Sequence, residues 1–168
     1  MKKMLLASVF AMSIFTFTSC EKTVLDNAKP TINLVAPAEG EVIKPGSDIH
    51  FDAVLTDDVA LKSYKINIHG AFDGHSHSAA TRTTADAVAF EKTWVEADFI
   101  KLGDEPVLGK KQANLHHHHM VIPSEIGGKP VKEGHYHFII YCTDEAGNES
   151  FVAREIEISY SGEEHAHH

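Results

Sequence analysis

The chain predicts an all-β fold, an antiparallel sandwich of about seven strands, and three observations lead to it. Short runs rich in Val, Ile, Phe and Tyr alternate apolar with polar at the two-residue period of a half-buried strand. Clusters of Gly, Pro, Asn and Asp punctuate those runs. No segment carries the longer apolar period of a substantial helix.

Taken in order, residues 31–35 (Thr-Ile-Asn-Leu-Val) alternate and stop at Pro37, with a turn at Gly40. Val42 and Ile43 form a short extended piece closed by Pro45-Gly46. Residues 48–55 place Ile49, Phe51, Ala53 and Leu55 on one face, and Thr56-Asp57-Asp58 turns the chain. In residues 61–69, Tyr64, Ile66 and Ile68 point one way, and Lys65, Asn67 and His69 the other. Residues 70–113 then make an unusually long connection, with a strand at 87–95 anchored by Val88, Phe90 and Trp94 and a loop at 102–112. A strand carrying His116 to His119 follows and ends before Pro123. Residues 134–142 start at a glycine turn and send Tyr136, Phe138, Ile140 and Cys142 inward. In Asp144-Glu145-Ala146-Gly147-Asn148, Gly147 is free to take a positive φ, and residues 151–160 close the domain with Val152, Ile156 and Ile158 inside.

The first twenty residues read as an export leader. Lys2 and Lys3 precede an apolar stretch, residues 4–17, that is too short to span a bilayer as a helix. It ends at Phe17-Thr18-Ser19-Cys20, which resembles the lipobox of bacterial lipoproteins, with Phe17 where Leu is usual. The resemblance implies cleavage before Cys20 and acylation of its thiol, and more than one acyl chain gives lasting anchorage. The expected layout is a signal peptide at 1–19, an anchor and tether at 20–29, the domain at 30–160 and a His-rich tail at 161–168. Cys142 is the other cysteine; with Cys20 acylated it has no disulfide partner and reads as a small buried apolar residue. The formal charge of −9 becomes −11 once Lys2 and Lys3 leave with the leader. Such a balance argues against nucleic acid or anionic lipid as a partner and suits cations.

Pro30-Thr31-Ile32 leading into Ala36-Pro37-Ala38-Glu39-Gly40, then Thr56-Asp57-Asp58 and Thr143-Asp144-Glu145-Ala146-Gly147-Asn148, resembles bacterial immunoglobulin-like and fibronectin-III-like surface domains. Tyr136 is similar to the tyrosine corner of those sandwiches. Together with Gly134-His135-Tyr136-His137 and the His run before Ile122-Pro123, residues 30–160 resemble Ig-like lipoproteins of Bacteroidetes classed as domain of unknown function 4625. The resemblance implies the fold and an outer-membrane lipid anchor, on the periplasmic face or the cell surface. It implies no activity.

Thirteen histidines are the outstanding compositional feature. Twelve fall into groups: His69 with His75 and His77, His116 to His119, His135 with His137, and His165, His167 and His168 at the end. His50 stands apart and reads as an ordinary exposed residue, and the terminal group as a weakly scavenging tail. Neutral imidazole is a ligand for Zn and Cu ions, and three or four nitrogens make a Zn site. In an Ig-like sandwich the strand at 61–69 lies antiparallel to that at 134–142, so His69, His135 and His137 share an outer face at one end. The loop with His75 and His77 leaves from that end, and the strand of the His run is expected to reach it with one pair, His117 and His119. Asp73 and Glu133 are near enough in sequence to orient an imidazole. The acidic turns Asp57-Asp58 and Asp144-Glu145 with Asn148 invite calcium, but ordinary turn chemistry explains them and they supply few oxygens.

The function these features predict is capture, buffering or delivery of Zn or Cu by a membrane-anchored lipoprotein, serving an envelope transporter or receptor. Binding needs neutral imidazole and fails as pH falls through about 6. The alternative is an adhesive or assembly module of the envelope, which exposed aromatic residues on the long insertion would favour. Enzyme function is not expected: there is no Ser or Cys nucleophile motif, no His-Glu-x-x-His and no phosphate loop.

Overall fold

A computed structural model describes residues 25–72 and 86–161. The leader, Cys20, most of the tether, His75, His77, Asp73 and the His-rich tail lie outside the described residues.

The chain is an all-β sandwich of two facing sheets. In order along the sequence, the strands of these sheets are β1 (Thr31–Ala36), β2 (Glu41–Ile43), β3 (Asp48–Thr56), β4 (Leu61–Gly70), β5 (Lys92–Val95), β6 (Gln112–Val121), β9 (Gly134–Asp144) and β10 (Glu149–Ile158). Between β6 and β9 a small separate hairpin, β7 (Glu125–Ile126) and β8 (Lys129–Pro130), decorates the connection. One sheet has the order β1-β3-β6 and the other β2-β10-β9-β4-β5. The expected pairing of the strand at 61–69 with that at 134–142 is present, antiparallel, with Ile66 opposite Ile140 and His69 opposite His137.

Alternation builds the core. Ile49, Phe51, Ala53 and Leu55 of β3 face Ile66 and Ile68 of β4, Phe138 and Ile140 of β9, and Ile156 and Ile158 of β10 across the interior. Cys142 is buried among them, and burial pushes its thiol pKa up to about 12, so it behaves as an apolar residue. Gly147 takes φ 92° in the β9–β10 turn, as its place after Asp144 requires. Tyr136 donates its hydroxyl to the Lys132 carbonyl at 2.6 Å, the corner bond expected of it, and accepts from the buried Phe90 N–H at 3.3 Å. Tyr136→Phe keeps the ring but orphans both groups; a loss of about 1–3 kcal/mol in urea unfolding is expected, with no change in metal uptake.

The structure departs from the expected pattern in three respects. β2 runs parallel to β10, so the larger sheet is mixed rather than wholly antiparallel. Two sheets of three and five strands exceed the expected seven. A helix, α1 (Glu96–Ile100), interrupts the insertion where none was expected. Five residues are too few to display a helical period. Its start is marked instead by Asp98, whose carboxylate accepts the Val95 N–H at 3.1 Å. The helix buries Phe99, and Glu96 turns inward to accept the Val107 N–H at 2.7 Å, which folds the insertion back onto the sandwich. No helix among the described residues is long and apolar enough to cross a membrane.

Candidate metal centre

The outer face of the β1-β3-β6 sheet carries the densest set of metal-ligating side chains among the described residues. Because Ile49, Phe51 and Ala53 point inward, Asp48, His50 and Asp52 of β3 point outward. β6 pairs antiparallel to β3, with Asp52 opposite His116 and Phe51 opposite His117, and then the register shifts: Ile49 lies opposite Met120. Two residues, His118 and His119, therefore stand against the single residue His50. This is a β-bulge. It lets His116 and His118 both reach the outer face while Met120 returns to the core.

The result is a triangle of imidazoles. Ring centroids lie 5.1 Å apart for His50 and His116, 5.0 Å for His50 and His118, and 4.8 Å for His116 and His118. Carboxylates orient the two rings of β6: His116 Nδ1 is 3.2 Å from Asp52 Oδ1, and His118 Nδ1 is 3.3 Å from Asp48 Oδ2. The opposite nitrogens, His116 Nε2 and His118 Nε2, meet at 3.0 Å. His50 Nε2 sits 3.4 Å from Asp52 Oδ2. One ligand atom each from His50, Asp52 and His116 falls within 4.8 Å of the others. The Asp52 carboxyl is held below its ordinary range, chiefly by its contact with His116; burial opposes this, and the contact with His50 adds to the lowering. It is an anion, as a ligand or an orienting group must be.

The remaining histidines among the described residues do not join this site. His69 and His137 face each other across β4 and β9, with centroids 5.4 Å apart, and His69 Nδ1 is 2.6 Å from Asn67 Oδ1. His135 lies on the same strand face and pairs with Glu155 at 3.0 Å. These three share the outer face of the larger sheet. The His run, however, belongs to the smaller sheet, whose outer face looks the opposite way, so the expected meeting of both groups at one rim does not occur. The reason is the pairing of β6 with β3. Glu133 is occupied elsewhere, accepting the Tyr160 N–H at 2.8 Å and the Ser159 hydroxyl at 3.2 Å.

His117 and His119 also separate. His119 is exposed, while His117 is a core residue stacked on Phe99, centroids 4.1 Å apart and planes 4° from parallel, with Phe51 at 5.3 Å. Its Nε2 is 2.8 Å from the Tyr64 hydroxyl. Its Nδ1 lies 2.9 Å from Asp104 Oδ2, near enough for charge attraction but without the alignment of a hydrogen bond. Burial lowers the His117 pKa, Asp104 opposes that, and the balance favours the neutral ring. His50 is the ligand candidate that sequence reasoning passed over. The legible signal was Asp48-x-His50-x-Asp52 alternating on a strand; what was missing was the identity of the strand beside it.

A family model described as a domain of unknown function (DUF4625) matches residues 18–159. No curated protein matches the sequence.

Proposed function

The chain belongs to the DUF4625 family, and we propose that it is a lipid-anchored envelope protein that binds a transition-metal ion, Zn(II) or Cu(II), through His50, His116 and His118. It binds without catalysing a reaction, and captures, buffers or hands on the ion. The observation that carries this reading is the pair of Nε2 atoms 3.0 Å apart, each backed by a carboxylate on its own Nδ1. Two nitrogens bound to one tetrahedral ion at about 2.0–2.1 Å stand roughly 3.3 Å from each other, so little movement is needed to admit it. The backing carboxylates set the tautomer that leaves Nε2 available as a ligand, the arrangement that commonly surrounds metal-bound imidazole. Asp52 or a water completes four ligands.

The three rings are partly exposed, His116 most of all, which suits exchange of an ion with a partner better than permanent storage. The adhesive alternative gains no support from the insertion, whose aromatic residues are buried (Phe90, Trp94 and Phe99) or partly buried (Phe72). Calorimetric titration of the metal-free protein with Zn(II) and Cu(II) tests the proposal. One tight site is expected, and His116→Ala should weaken it by about 10- to 100-fold, the scale at which loss of a supporting or ligating group is felt. Equal, weak uptake by both proteins would overturn it.

A further inference from the structure

The tether enters the domain beside the turn that follows β3, at the end of that strand away from the histidine face. There Asp26 of the tether meets Asp57 and Asp58 of the turn, with one carboxylate oxygen from each residue within 4.8 Å of the others. Asp57 is nine-tenths buried. Its Oδ1 accepts the N–H groups of Ala60 at 2.7 Å and Val59 at 3.0 Å, which is ordinary turn chemistry. Its Oδ2 is different: it is inaccessible to solvent and has no donor at all. A buried carboxylate oxygen with no hydrogen-bond donor, set against two further carboxylates, calls for a positive charge. Among the described residues no Lys, Arg or His nitrogen forms an ion pair with any of the three carboxylates; Lys111 Nζ binds the main-chain oxygen of Asp58 instead.

We infer that Asp26, Asp57 and Asp58 form a calcium site that clamps the tether to the end of the sandwich. Three oxygens no more than 4.8 Å apart lie at most about 2.8 Å from a common centre, so a small inward movement of the side chains brings them to the usual Ca–O distance of about 2.3–2.6 Å, and waters supply the remaining ligands of this partly exposed site. All the donors are hard oxygens, which suit Ca(II) and not the ions taken by imidazole. The tether is already held from a second side: the Asn148 side-chain amide donates to the Asp26 carbonyl at 3.3 Å, and Asn148 is fixed in turn by Asp144 at 2.7 Å. Adding the ion would make the last residues before β1 continuous with the domain. With the chain anchored at Cys20, an expectation from its leader, calcium would then set how the domain stands above the membrane. The acidic turns alone supply too few oxygens; the residue that changes this reading is Asp26, which only the fold brings to them.

Equilibrium dialysis of the full chain in detergent against calcium, with hydrogen exchange of residues 25–29 as a second readout, tests the inference. Binding with a dissociation constant on the order of 10⁻⁴–10⁻³ M is expected, as for extracellular calcium modules. The exchange should slow when calcium is added, and equal magnesium should not reproduce it. Asp26→Asn and Asp58→Asn, both outside the core, should each weaken binding by about tenfold or more. His116→Ala should leave it unchanged, so failure here and failure of the histidine site are read separately. No uptake at several millimolar calcium, or uptake indifferent to both substitutions, would overturn the inference.

Discussion

His117→Ala is expected to lower the free energy of unfolding by about 3–5 kcal/mol, the largest stability loss of any histidine substitution in the described domain. The ring is sandwiched in the core against Phe99 and Phe51, so truncation opens a cavity between β6 and α1. It also leaves the Tyr64 hydroxyl without its hydrogen-bond partner and removes the ring nitrogen that lies 2.9 Å from Asp104 Oδ2. Thermal unfolding should shift down by roughly 10 °C or more. His117→Phe preserves the stack and should recover part of the loss. A shift no larger than that of an exposed substitution such as His119→Ala would show that the stack contributes little.

The same residue sets an acid limb of stability. Burial holds the folded pKa of His117 below its ordinary value of 6.5, with Asp104 opposing, so the unfolded chain binds the proton more readily than the folded one. The contribution of the neutral ring is therefore complete above about 6.5 and is lost as pH falls below that value. Asp52 acts in another window: its folded pKa is below 3.8, so its contribution is present above 3.8 and lost only as pH falls through the lower folded value. Melting in chelator should thus show a decline as pH falls below about 6.5. His117→Phe should flatten that decline. An unchanged slope in the variant would assign it to other groups.

The second large effect separates the two histidine faces. His50→Ala/His116→Ala/His118→Ala is expected to reduce Zn(II) affinity on the order of a thousandfold or more, since it removes all three imidazoles of the triangle. His69→Ala/His135→Ala/His137→Ala, on the opposite face, should change it by less than about threefold, with each exposed substitution within about 0.5 kcal/mol in stability. The reverse result would move the site to the larger sheet, where His69 and His137 are in ring contact with each other and His135 is paired with Glu155. Melting curves on both triple variants guard against reading a folding defect as lost binding.

Most of the fold was legible because burial on one face of a strand imposes a period of two. Ile49, Phe51, Ala53 and Leu55 could be assigned to the core from spacing alone, and so could Tyr136, Phe138, Ile140 and Cys142. The face taken by His69, His135 and His137 followed from the same rule. Alternation determines which way a side chain points from its own strand, and that is a local property of the backbone. It contains nothing about which strand lies alongside. The β3–β6 pairing and the extra residue at His118-His119 were decided by how distant segments bury their apolar faces together. They turned His117 inward and brought His50 to His116 and His118 across more than sixty residues of sequence. The meeting of Asp26 with Asp57 and Asp58 is of the same kind. By itself the sequence determined the architecture, the inward and outward faces and a histidine content suited to metal. Only the tertiary structure decided which histidines stand close together, because side chains from separate strands converge through register, and register is set by the whole core at once.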